Sequence, residues 1–131
     1  FLVGIGAISV LVGGIGIANT MYTSVLERQK EIGTMKAIGA KNSDILMIFV
    51  IESGVLGLIG GAIGIIIGII IAKSIEYFVL VYLGSNMLRA SMSPWIIFGC
   101  LAFSFIVGLV SGVLPSYQAS KLKPVDALRY E

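Results

Sequence analysis

Any covalent or acid–base chemistry in this chain would have to rest on seven carboxylates and one thiol, because the sequence contains no histidine. The acids are Glu27, Glu31, Asp44, Glu52, Glu76, Asp126 and Glu131. General acid–base pairs and metal centres need such groups to converge on one point. Here they are scattered along the chain, on both sides of any membrane its long apolar runs cross. Cys100 lies inside an apolar run, so it can form no internal disulfide and says nothing about redox compartment. A G-x-x-x-x-G-K-[ST] loop, whose backbone N–H groups would cradle phosphates, does not occur. The glycine-rich stretch Val12–Ile17 is apolar and reads as intramembrane. These residues predict no catalytic site, no metal and no cofactor held by this chain itself.

The elements around those residues are membrane elements. Of 131 residues, 57% are hydrophobic and 12% charged, and mean hydropathy is +1.03. A soluble domain of that size carries roughly 25% charged residues. Phe1–Leu26, Ser53–Ala72 and Ala90–Ser120 carry no charge, and about 20 apolar residues suffice to cross the hydrocarbon core. The expected fold class is therefore all-α integral membrane, a single domain over 1–131. Its three transmembrane helices fall at about 1–26, 44–73 and 94–115, with a short cytoplasmic helix at about 27–38 and a tail over 116–131. The apolar stretch Tyr77–Leu83 is too short to span and is expected to lie along the outer interface. The opening lacks the basic start of a cleavable signal peptide. It begins with Phe1 and enters a span at once, as a piece of a longer polypeptide would.

Charge sets the orientation. Arg28, Lys30, Lys36, Lys41, Lys121, Lys123 and Arg129 lie on one side of the three spans, and Lys73 and Arg89 on the other. The basic side is the cytoplasmic one, so the chain starts outside and ends inside. The basic residues form no stripe with aromatics, which argues against nucleic acid as a partner. Glu52 falls at the cytoplasmic boundary of the second span. An acid there reaches water or a polar neighbour at far lower cost than at mid-bilayer; a specific ion pair or proton relay is the sharper alternative.

Small residues recur at four-residue spacing on the second span: Gly57 and Gly61, and Gly60, Gly64 and Gly68. Gly108 and Gly112 repeat the spacing on the third, and Ser9, Gly13, Gly14 and Ala18 approximate it on the first. Such faces let helix backbones approach closely, within the chain or between chains. In the short helix, Ile32, Met35 and Ile38 share one side. Arg28–Glu31 and Glu27–Lys30 are spaced to pair, and Gly39 suits a left-handed stop. Asn42 or Ser43 is placed to cap the next helix, with Asp44 in its first turn. Ser93 and Pro94 read as cap and first-turn proline of the last helix. Trp95 suits the aromatic belt, Pro115 a bend or end, and Pro124 the start of a final short helix through Leu128.

Three segments carry a resemblance that composition does not. ERQKEIGTMKAIG over 27–39, AKNSDILMIFVIESGVLGLIGGAIG over 40–64 and LPSYQASKLKPVDALRYE over 114–131 resemble the FtsX-like permease domain, and most closely the macrolide-exporter type of ABC permease. The resemblance implies a full-length protein with a further transmembrane helix and a large extracytoplasmic domain ahead of these three spans, paired as a homodimer or with a second permease. It implies a cytoplasmic ATPase subunit or domain that binds ATP and magnesium and docks on residues 27–38. The coupling residues would then be Arg28, Glu31, Ile32, Met35, Lys36 and Ile38, with Ile32, Met35 and Ile38 facing the ATPase or the membrane. An amphipathic helix resting on lipid is the alternative for this segment. For the whole protein, the resemblance implies export by transmitted motion in a prokaryotic cell membrane. The alternatives are a regulatory subunit that switches outer-face cell-wall hydrolases and a self-associating membrane scaffold.

Overall fold

A computed structural model describes residues 1–83 and 93–122. Four helices follow in chain order: α1 (Leu2–Glu27), α2 (Gln29–Ala37), α3 (Asn42–Leu83) and α4 (Pro94–Ser120). No strand occurs among the described residues. Helices α1, α3 and α4 are each long and apolar enough to cross a membrane, so the chain is an all-α integral membrane domain with three transmembrane helices. Arg89, Lys123 and the segment expected to form a helix from Pro124 to Leu128 lie outside the described residues.

One residue separates the first span from the short helix. Arg28 leaves helical geometry at φ −101° and ψ 16°, while its N–H still donates to Ser24 O and its carbonyl accepts from Ile32 N–H. Helix α2 closes with a Schellman motif. Gly39 takes φ +105°, its N–H donates to Lys36 O, and Ala40 N–H donates to Met35 O. A side chain at Gly39 would be strained in that left-handed conformation, so the expected stop is built as read.

Helix α3 departs from expectation at both ends. It begins at Asn42, with the Asp44 carboxylate accepting from the Lys41 N–H at 3.1 Å. The group that serves the free N–H is thus Asp44 reaching backward, rather than Asn42 or Ser43 acting as the cap. At the other end no break follows Lys73. The helix continues through Tyr77 to Leu83, with Phe78 and Tyr82 stacked on successive turns. Tyr77–Leu83 is therefore the end of a long helix and not a separate interfacial segment. The reason is local: nothing between Ala72 and Leu83 is glycine or proline, and Lys73 pairs with Glu76 at 3.0 Å across one turn. Forty-two residues give a rod of about 63 Å, roughly twice the hydrocarbon thickness. In α4, Ser93 stands at the cap position without a side-chain cap bond and Pro94 opens the first turn. Pro115 is buried inside the helix and does not end it.

The packing is strongest between α3 and α4 and is concentrated at the end where α2 lies. Met21 and Val25 of α1, Ile32 of α2, Ile45 and Phe49 of α3 and Ala119 of α4 form the one buried apolar cluster among the described residues. Towards the other end burial falls away, and residues 1–13 are exposed throughout. Exposed leucine, isoleucine and phenylalanine around three long helices match an acyl-chain environment.

Candidate functional site

The sequence-derived residues gather into two sites. The first is the α3–α4 seam. Ser53, Gly54 and Gly57 are buried on α3 against Gly108 and Gly112 on α4. A methyl added to Gly57 would meet the Ser104 carbonyl and stand 3.0 Å from Gly108 Cα; one added to Gly108 would meet Ser53 O and stand 3.0 Å from Gly57 Cα. Gly112 faces the Ser53 side chain, and Gly61 faces Ser104 Oγ. The backbones touch because neither helix has a side chain there. Gly60, Gly64 and Gly68 have no such neighbour. Gly60 and Gly64 instead line an open apolar groove of about 1030 Å³ between α1, α3 and α4, together with Gly13, Gly14, Cys100 and Phe103.

The seam also contains residues the glycine pattern missed. Ser53 Oγ donates to Val50 O at 2.7 Å and Ser116 Oγ to Gly112 O at 2.5 Å, so both hydroxyls are buried without a lost hydrogen bond. The signal was present: counting serine as small extends the four-residue rows to Ser53, Gly57, Gly61 and to Ser104, Gly108, Gly112, Ser116, Ser120.

The second site is α2. The single-residue break at Arg28 swings it off the axis of α1, and three contacts hold it. At its start, Arg28 Nη1 lies 3.4 Å from both carboxylate oxygens of Glu52 on α3. Arg28 thus reaches across to another helix instead of pairing with Glu31 on its own. Glu52 gains a cationic partner, with the pair still partly open to solvent. In the middle, Ile32 is fully buried and Met35 packs against the same cluster. At its end, Lys36 Nζ donates to the carbonyls of Ser120 and Leu122, both at 2.6 Å.

This divides the six expected coupling residues. Ile32 does not face a partner or the membrane; it is enclosed by α1, α3 and α4. Helical spacing put Ile32, Met35 and Ile38 on one side, but Ile32 and Ile38, six residues apart, lie about 120° apart around the helix. Ile38 is the C-cap residue and is 82% exposed. Glu31 and Lys30 are exposed as well. The short helix thus has an inner face of Ile32, Met35 and Lys36 that grips the spans, and an outer face of Lys30, Glu31 and Ile38.

The profile of the FtsX-like permease C-terminal family matches residues 3–124. The uncharacterized ABC transporter permease MJ1507 of Methanocaldococcus jannaschii is 51% identical over 132 residues, spanning 100% of this chain and 33% of that protein. The macrolide export ATP-binding/permease protein MacB of Bdellovibrio bacteriovorus is 46% identical over 134 residues, 99% of this chain and 19% of the relative. The uncharacterized ABC transporter permease YknZ of Bacillus subtilis is 44% identical over 133 residues, 97% of this chain and 30% of the relative. The chain thus spans a third or less of the length of these relatives.

Proposed function

The chain belongs to the FtsX-like permease C-terminal family, and from that premise we propose that it is the membrane domain through which an ABC permease couples cytoplasmic ATP hydrolysis to movement outside the membrane. An ABC ATPase subunit or domain binds the outer face of α2 and holds the ATP and magnesium. The domain works as a homodimer or beside a second permease, in a prokaryotic cell membrane. Its first residues lie outside and its last residues in the cytoplasm. The movement is passed to an extracytoplasmic domain of the same full-length chain and drives export.

The observation that carries this reading is the two-faced construction of α2. A helix merely resting on lipid would direct its apolar residues outward. Here Ile32 and Met35 turn inward, so the exposed face consists of one apolar knob, Ile38, among Lys30, Glu31 and Thr34. A small apolar anchor within charges of both signs suits a protein groove. The relatives include a protein that carries ATP-binding and permease functions together, which supports an ATPase as the occupant.

The test is reconstitution. The full-length permease in lipid vesicles should raise the ATP turnover of its ATPase and retain it in a pull-down. Ile38→Asp should abolish both while leaving insertion intact. Full ATPase binding and stimulation by Ile38→Asp would leave α2 without its proposed role.

A further inference from the structure

The Lys36 clamp does something a docking residue would not. Its ammonium is directed inward to the end of α4, where the last carbonyls of a helix have no partner within it. A cation at that position also opposes the negative end of the helix dipole. The piece of α4 it grips lies beyond Pro115. Pro115 supplies no N–H, so the turns beyond it are joined to the rest of the helix by one backbone hydrogen bond fewer. Beyond Pro115, Ser116, Ala119 and Ser120 are buried, and Ala119 shares its cluster with Ile32.

We propose that Lys36 is a positioning residue that makes α2 and the end of α4 beyond Pro115 move as one body, so that a push on α2 is delivered along the third span. This inference rests on the coupling role proposed above. Arg28 joins α2 to α3 only through a half-exposed ion pair, whereas Lys36 makes two charge-assisted bonds to backbone carbonyls, the stronger class of hydrogen bond. The path to α4 is therefore the stiffer of the two.

The test uses the full-length permease with its ATPase in vesicles. Lys36→Met keeps the aliphatic stem and removes the donors. It should bind the ATPase as the parent does yet lose coupled ATP turnover and export by about ten-fold or more, since both charge-assisted bonds are lost. Lys36→Arg should retain most of the coupling. In a Cys100→Ser background, a short bismaleimide bridge between Lys36→Cys and Lys121→Cys should restore what Lys36→Cys loses, because it replaces the clamp with a tether. Unimpaired coupling in Lys36→Met, loss of ATPase binding in it, or a bridge that restores nothing would overturn the proposal.

A second measurement needs no ATPase and separates the two readings. Spin labels at Glu31 and Tyr117 in the permease alone should give a narrow distance distribution that broadens in Lys36→Met. Equal widths would overturn the clamp. If the parent permease neither binds nor stimulates the ATPase, the coupling role falls, while the label distances still decide whether the clamp exists.

Discussion

Gly57 of α3 and Gly108 of α4 face each other so closely that a methyl group on either would stand 3.0 Å from the other's Cα. The obstacle is backbone, which cannot rotate away as a side chain can. Leucine at either position must therefore part the helices, at a cost of about 1–3 kcal/mol or more. Gly68→Leu is the control, since nothing lies within 4 Å of a methyl there. Thermal unfolding in detergent should show Gly57→Leu and Gly108→Leu strongly destabilised and Gly68→Leu close to the parent. Equal stability in all three would mean that α3 and α4 do not meet along this seam.

The three spans were legible because apolar run length is a coarse signal, and so was the family, because ERQKEIG and the segments after it are specific. The glycine rows were legible only in part. Four-residue spacing put Gly57, Gly61, Gly60, Gly64 and Gly68 in one argument, but the first pair faces α4 and the others do not. Periodicity within a helix identifies a face; it does not identify the neighbour. The same limit explains α2. Ile32 and Ile38 are six residues apart, about 120° around an α-helix, so the side they were assigned to share was too wide to be buried on one face. The Lys36 and Arg28 contacts join residues 84 and 24 apart in sequence, beyond the reach of any local pattern.

Ile32 offers a test of this inward reading. It is wholly enclosed by Met21, Val25, Ile45, Phe49 and Ala119. Ile32→Ala should lower stability by about 2–5 kcal/mol through the cavity it leaves, and Ile32→Asp should reduce the folded protein recovered from membranes. An Ile32→Asp variant that folds normally and fails only in ATPase binding would place this side chain on the outer face instead.

The Arg28–Glu52 pair should contribute little to stability. Its partners are 49% and 31% exposed, and pairs of that kind yield about 0.2–1 kcal/mol, screened by salt. A double-mutant cycle of Arg28→Ala and Glu52→Ala should return a coupling energy in that range that shrinks as sodium chloride is raised. A coupling energy of several kcal/mol, insensitive to salt, would show the pair to be buried in the native membrane.

Orientation can be read independently of any partner. Seven basic residues flank one side of the spans and two the other, so the positive-inside rule predicts the α2 side in the cytoplasm. Lys36 is a poor reporter, because its side chain is half-buried and engaged with α4. Ile38, a cap residue that is 82% exposed, is the better one on that side when the permease is expressed without its ATPase. In a Cys100→Ser background, cysteine at Ile38 or Lys123 should resist an impermeant thiol reagent applied to intact cells and react once the membrane is opened. Cysteine at Arg89 should react from outside at once. Tyr77 and Tyr82 extend the test along α3. If the helix runs unbroken past Lys73, cysteines there should become progressively more accessible from outside as their distance from Ala72 grows. Labelling of Ile38→Cys from outside intact cells would invert the topology and with it every assignment of α2 to a cytoplasmic partner.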